Sequence, residues 1–174
     1  MKKGILLFLF SLIILSILGT THAYPQKKIF SLIEEDRSFW NELLDDNTIN
    51  NKNLLYASYI AYKDRLNDLS IETFQECINS NSTNSIINGI ANYYIGKNLF
   101  LIGKYREAIT RFSYVNNINL AKFNYIKFAA LLNIAITYYQ LNDIEKCREN
   151  IQKVISGDID GKYKRIALDI LSQL

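Results

Sequence analysis

The feature that most constrains this chain is a pattern of apolar and small residues that recurs after 39 residues. The first copy is Ile95-Gly96, Leu99, Ile102-Gly103, Tyr105, Ala108, Phe112 and Val115; the second is Ile134-Ala135, Tyr138, Leu141-Asn142, Ile144, Cys147, Ile151 and Val154. The spacing within each copy is that of two helix faces separated by a turn. Recurrence at a fixed interval predicts helix pairs that stack, because a single pair cannot bury its apolar face alone.

Small residues occupy the positions where helices have to approach each other closely. Gly96 and Ala135 are the equivalent small residues on the first helix of each pair, and Ala108 and Cys147 are those on the second helix. Aromatic residues are expected to fill the space between successive pairs: Tyr105, Phe112 and Tyr138.

This pattern, together with the run Leu-Ile-Gly-Lys-Tyr-Arg-Glu-Ala-Ile at 101–109, resembles the tetratricopeptide repeat (TPR). The resemblance is clearest over 90–155, and it has departures. Asn92 and Leu131 replace the aromatic residue at the start of the first helix, and the closing proline is absent. The interval exceeds the family's about 34 residues, and the extra residues are expected in the helices or in the loop near 116–122. The alternative fold is a generic bundle of helical hairpins.

The remaining apolar spacing is helical over nearly the whole chain. It predicts helices at about 28–45, 52–66, 70–79, 86–102, 105–116, 121–141, 144–156 and 162–173. Ser70 is the expected N-cap of the third helix, Gly157 is expected to end a helix in the left-handed conformation, and Asp160 is expected to cap the last. The expected fold is all-α: antiparallel helix pairs stacked as a short right-handed TPR-like solenoid, with an extra N-terminal helix and a C-terminal capping helix.

Residues 1–23 have the organisation of a secretory signal peptide. Lys2 and Lys3 precede the apolar run 4–18, and a small-residue stretch ends at Ala23, where cleavage is expected. Residues 24–174 then form a single TPR-like helical domain, with the clearest repeats at 90–116 and 129–156. The expected location is the periplasm or cell envelope of a bacterium, and the alternative is an uncleaved signal anchor, the only membrane contact expected.

Charge and histidine content exclude several classes of function. Lys2 and Lys3 supply two of the three net positive charges, so the mature chain is nearly neutral and no nucleic-acid partner is expected. The single histidine, His22, lies in the signal segment, so the mature chain lacks the residue of Ser-His-Asp and Cys-His catalysis. We expect no enzyme, no cofactor and no metal site. Cys77 and Cys147 are expected to be buried free thiols, with a disulfide as the alternative.

The resemblance also implies where a partner would bind, because first helices line a concave groove in TPR proteins. The residues expected to form this partner-binding groove are Tyr93, Tyr94, Lys97, Phe100, Leu101, Asn133, Ile136, Tyr139 and Gln140. Such an apolar and aromatic surface is typical of a binding site. The alternative is that the chain's own helix at 28–45 fills the groove. Some family members bind a peptide carboxylate with Lys, Asn and Arg, but only Asn133 matches that arrangement, so that specificity is not implied here.

The sequence therefore predicts an exported scaffold or adaptor for protein–protein interaction in the cell envelope, holding an unidentified protein or peptide. One form of this prediction is an accessory role in an envelope assembly complex. Two alternatives stay open at this point. One is a small-molecule or lipid binder that serves a transporter, and the other is a structural homo-oligomer.

Overall fold

The computed structural model describes residues 31–34, 37–47, 49–157 and 161–174, and residues 31–174 form a compact unit by themselves. The predicted signal peptide at 1–23 lies outside the described residues. In the described part the regular structure is entirely helical. The α-helices are α1 (Arg37–Asp45), α2 (Lys52–Lys63), α3 (Asn67–Ser80), α4 (Ser85–Leu101), α5 (Tyr105–Asn116), α6 (Ile126–Gln140), α7 (Ile144–Gly157) and α8 (Lys162–Leu171).

Successive helices from α2 to α8 pack against each other in chain order. The first helices of the pairs, α2, α4 and α6, also contact one another, and α6 contacts α8 in the same way. The second helices are α3, α5 and α7. We call the surface of the first helices that is turned away from the second helices the inner face, and the surface formed by the second helices the outer face. The predicted TPR-like array of helix pairs, with α8 closing it, is confirmed.

Tight turns join the two helices of each repeat. Gly103 and Asn142 occupy equivalent positions after α4 and α6, with φ of 79° and 60°. Glycine and asparagine tolerate this left-handed region better than other residues, which explains the choice at both turns. The prediction for Gly157 was wrong, because that residue is the last of α7, and it is Gly161 that adopts a left-handed φ of 74°. Asp160 lies outside the described residues.

The predicted small positions are places of close helix packing. A Cβ atom added at Gly96 would lie 2.8 Å from the Phe112 ring, so the ring of α5 rests directly on the α4 backbone. Ala108 and Cys147 are fully buried at equivalent positions of the second helices. The expected close packing is therefore confirmed at Gly96, Ala108 and Cys147. Phe112 was expected between successive pairs, but its ring contacts Gly96 and Tyr93 of its own pair.

The extra length between the two repeats lies in residues 117–125, which join α5 to α6 through a short 3-10 turn at Ala121–Phe123. Leu120 and Phe123 of this connection are fully buried. A Cβ atom at Gly89 would collide with a Leu120 methyl carbon. The connection is thus packed onto α4, which is why the longer interval does not separate the two repeats.

Two predictions near the N-terminus were wrong. Residues 31–34 are not helical, although one helix was expected over 28–45; α1 begins only at Arg37. Ser70 is not an N-cap, because α3 begins at Asn67 and Ser70 is buried inside the helix. Its hydroxyl donates to the Ser58 carbonyl oxygen (3.0 Å) and accepts from the Asn98 amide (3.0 Å), which joins α2, α3 and α4. At Ser70, tertiary hydrogen bonds replace the N-cap that the sequence pattern predicted. At residues 31–34, tertiary hydrogen bonds of the Ile33 backbone replace the predicted helix.

Candidate functional site

The predicted groove residues lie on α4 and α6, the first helices of the two repeats, and they fall into two zones of different exposure. Tyr93, Tyr94, Lys97, Asn133 and Ile136 are at most 1% exposed. The second zone is nearer the ends of α4 and α6, and it contains the partly exposed Phe100, Leu101, Tyr139 and Gln140. The chain's own Ile33, Glu34 and Trp40 contact the first zone, so the central part of the groove is covered from within.

Both backbone groups of one residue, Ile33, are held by side chains of two first helices. The Ile33 N–H donates to the Asn133 side-chain oxygen over 2.8 Å, and the Tyr93 hydroxyl donates to the Ile33 carbonyl oxygen over 3.0 Å. The Asn133 amide nitrogen in turn donates to the Tyr93 hydroxyl (3.1 Å), which fixes the orientation of both side chains. Since these bonds use only backbone atoms of Ile33, they recognise the backbone of the bound segment and not its side chain.

A carboxylate of the same segment is held by the next two inner-face side chains. Lys97 Nζ donates to Glu34 Oε2 over 2.9 Å, and the Tyr62 hydroxyl donates to Glu34 Oε1 over 2.5 Å. The Lys97 side chain is 0% exposed, whereas Glu34 is 50% exposed. Charge-assisted hydrogen bonds of this kind are the strong ones in proteins.

Three tyrosine rings surround the Lys97 ammonium. Its Nζ lies 5.0 Å from the ring centroid of Tyr62, 5.3 Å from that of Tyr93 and 5.0 Å from that of Tyr94. The electron-rich ring faces attract a cation and compensate in part for its removal from water. Tyr62 comes from α2, and Tyr93, Tyr94 and Lys97 come from α4, so the position of the ammonium depends on the stacking of the first two pairs.

Helix α1 is seated separately, by aromatic contacts. Trp40 stacks on Tyr59 with ring centroids 4.2 Å apart, and its indole N–H donates to the Tyr94 hydroxyl over 3.1 Å. Phe39 packs edge-on against Phe123 of the α5–α6 connection, at 5.6 Å. Helix α1 therefore spans the inner face from α2 to the connection before α6.

The outer face carries open cavities between successive second helices. A cavity of about 650 Å³ is lined by residues of α3, α4, α5 and the turn after α4. Its charged side chains are Asp68, Glu72, Glu76, Lys104, Glu107 and Arg111. A second cavity, of about 450 Å³, lies between α5 and α7 and includes Arg106, Asp143 and Lys146. These cavities are wide and strongly charged, in contrast to the filled inner face.

Residues 129–156 match the family model of the tetratricopeptide repeat. This segment of the chain is therefore similar to one tetratricopeptide repeat. The matched segment contains most of α6 and nearly all of α7, which is the second copy of the pattern, and Asn133 lies within it. The comparisons with curated proteins and with solved structures gave no significant match.

Neither cysteine of the repeat array takes part in a disulfide, and both are buried. Burial raises the pKa of the Cys147 thiol to about 11, and it also raises the pKa of Cys77, so both thiols stay protonated at neutral pH.

In the described part of the chain, no three His, Cys, Asp or Glu side chains are grouped so as to hold a metal ion. Of the helices described, none has the length and apolar character needed to cross a membrane.

Sequence reasoning missed three residues of this site: Glu34, Trp40 and Tyr62. Tyr62 had a usable signal, because it is an aromatic residue on a first helix, as Tyr93 is. Glu34 had none, since its helix-like surroundings predicted a solvated position on a helix surface. Trp40 had no usable signal, since its partners Tyr59 and Tyr94 lie on two other helices, distant in sequence.

Proposed function

We propose that this chain is an exported scaffold or adaptor that holds a segment of a partner protein on its inner face, within the bacterial cell envelope. Tetratricopeptide-repeat domains typically bind protein partners, which supports the general class. The N-terminal apolar run with its basic start supports export. The proposal includes an accessory role in an envelope assembly complex.

The observation that carries this proposal is the way the inner face holds residues 33 and 34. Side chains of α2, α4 and α6 converge on the two backbone groups of Ile33 and on the carboxylate of Glu34, as a receptor does with a bound peptide. A lipid or small apolar ligand is less well supported, because Tyr93 and Tyr94 are already buried and the polar atoms of the groove are arranged for a polypeptide. The proposal assigns the partly exposed Phe100, Leu101, Tyr139 and Gln140, near the ends of α4 and α6, to further contact with a longer segment.

Affinity purification of the tagged mature protein from its own envelope tests the proposal. We expect a reproducible protein partner, whose capture is weakened by Phe100→Ala or Tyr139→Ala while the circular dichroism spectrum stays helical. Leu69→Ala, which removes a side chain 48% exposed on α3, is the matched control and should leave capture unchanged. Recovery of lipid or metabolite without a protein partner, or self-association alone, would contradict the proposal.

A further inference from the structure

We propose that residues 31–34 are a replaceable, built-in ligand of the inner face, and that the partner is a non-helical acidic segment that displaces them. This inference rests on the proposed function of the groove, and it specifies the chemistry of the partner. It also implies that the chain covers its own binding site until a suitable segment is present.

The polar contacts of the segment resemble those of a bound peptide, and its Leu32 side chain, 8% exposed, is buried with it. Residues 31–34 belong to no helix, and both backbone groups of Ile33 bond to side chains of helices far away in sequence. Any polypeptide segment of similar conformation offers the same N–H and C=O groups. The backbone contacts are therefore available to a second polypeptide without a change in the receptor side chains.

The charge of the groove selects which segment binds there. Lys97 is fully buried, and removing the Glu34 carboxylate without replacement would leave a buried ammonium with a weaker set of partners. Asn133 and Tyr93 are likewise fully buried, and their bonds to Ile33 would be lost. An empty groove is thus costly, and a segment with a carboxylate at the position of Glu34 is the occupant whose charge complements it.

The segment can leave without unseating the helix that follows it. Helix α1 has its own attachment through Trp40 on Tyr59 and through Phe39 on Phe123. Glu34 is half exposed, so the carboxylate end of the contact is open to a competitor. Because the built-in segment is tethered, its effective concentration is high, and a free competitor has to overcome that advantage.

Binding of a labelled peptide to the mature chain tests this inference. The probe is a fluorescent, terminally capped peptide with the sequence of residues 29–36, Ile-Phe-Ser-Leu-Ile-Glu-Glu-Asp. Its binding is measured by fluorescence anisotropy. Glu34→Gln in the protein weakens the built-in contact, so we expect this variant to bind the peptide about tenfold more tightly than the wild type does, the usual effect of one charge-assisted contact. The same peptide with Glu34→Gln should bind that variant about tenfold more weakly.

Glu42→Gln is the matched control, because it removes a carboxylate of α1 that lies outside the groove. The Glu42 carboxylate pairs with Lys122, with 3.5 Å between Oε1 and Nζ. It should bind the peptide no better than the wild type. Trp40 is the only tryptophan of the chain, so its emission reports whether α1 stays seated in the Glu34→Gln variant. We expect that emission to be unchanged.

Equal binding of the unmodified peptide and its Glu34→Gln form, or no binding to the Glu34→Gln protein with its Trp40 emission unchanged, would overturn the inference, as residues 31–34 would then be part of the core. A loss of the native Trp40 emission in that variant would also overturn it, because segment and helix would then leave together. The two proposals fail separately. A captured envelope partner with no selectivity for the acidic peptide contradicts only this inference, whereas selective peptide exchange without any envelope partner contradicts only the proposed adaptor function.

Discussion

The inner and outer faces of this helix array use polar residues in opposite ways. On the inner face, Lys97, Asn133 and Tyr93 are fully buried and each has a defined hydrogen-bond partner in residues 33–34 or in a neighbouring side chain. On the outer face, Asp68, Glu72 and Glu76 follow one side of α3 at four-residue intervals, beside an open cavity. No ion pair of these three carboxylates occurs among the described residues.

This difference separates positions that determine structure and recognition from positions that mainly keep the surface solvated. A buried polar group is costly unless it is bonded, so inner-face substitutions are expected to have large and partner-dependent effects. An exposed charge is already well hydrated, so outer-face substitutions are expected to have small and salt-dependent effects.

The largest effect is expected for Trp40→Ala. The change removes the stacking on Tyr59 and the hydrogen bond to Tyr94, and it leaves a cavity under α1. We expect the free energy of unfolding to fall by about 3–5 kcal/mol, as for other buried aromatic residues. The free energy of unfolding is measured by urea denaturation, with circular dichroism as the signal. Tyr114→Ala, which removes an aromatic residue 41% exposed on α5, is the control and should cost less than about 1 kcal/mol. Equal losses in the two variants would remove the distinction between the faces.

A smaller effect is expected for Glu34→Gln. The variant loses the charge that faces the buried Lys97 ammonium but keeps the shape and an acceptor oxygen. Because Glu34 is half exposed, we expect a loss of about 1–2 kcal/mol, below that of a fully buried pair. The control Glu42→Gln breaks an exposed pair and should change stability by at most about 0.5 kcal/mol. A Glu34→Gln variant as stable as the Glu42→Gln control would show that the inner-face ion pair adds nothing to stability.

The thiol at the crossing of α6 and α7 is expected to make stability depend on alkaline pH. The pKa of Cys147 is raised to about 11 in the folded chain, whereas an unfolded thiol ionises near about 8.5. The folded state therefore holds a proton that the unfolded state loses, and stability falls as pH rises from the unfolded value toward the folded one. Comparing urea midpoints of the wild type and Cys147→Ala from pH 8 to 11 measures the difference. Parallel curves for the two proteins would contradict the prediction.

The smallest effect is expected for Glu72→Gln on the outer face. Glu72 lies four residues from both Asp68 and Glu76, so like charges repel along one side of α3. Removing the central charge should stabilise the chain by about 0.2–0.5 kcal/mol at low salt. Thermal melts at low and high salt measure the gain, which should disappear when the charges are screened. A loss of stability instead would show that this carboxylate is held by a favourable contact.

Much of the array could be predicted from particular residues. The close packing at Gly96, the burial of Ala108 and Cys147 and the turns at Gly103 and Asn142 all followed from spacing and residue size. Local helix boundaries were predicted less well. Ser70 has the residue type of an N-cap, yet its hydroxyl bonds to Ser58 and Asn98, which no local pattern could indicate.

The partner groove itself stays a prediction, and the structure adds what lies in it. At the centre of the groove, the alternative interpretation applies: the chain's own N-terminal residues occupy it. That centre is filled partly by the non-helical residues 33–34 and partly by α1. The helical spacing around Ile33 and Glu34 predicted the wrong local structure, because their polar partners on α2, α4 and α6 outweigh helix propensity at the end of a helix.

The amino-acid sequence by itself determined the repeat, since apolar periodicity and small residues at fixed intervals are local properties that specify helices and their close contacts. The tertiary structure alone decided that Lys97 is buried in a ring of tyrosines and that Asn133 and Tyr93 hold the backbone of Ile33. These residues are distant in sequence, so their bonds arise only when three helix pairs are stacked. Charge neutralisation and hydrogen-bond satisfaction inside a closed face depend on that stacking.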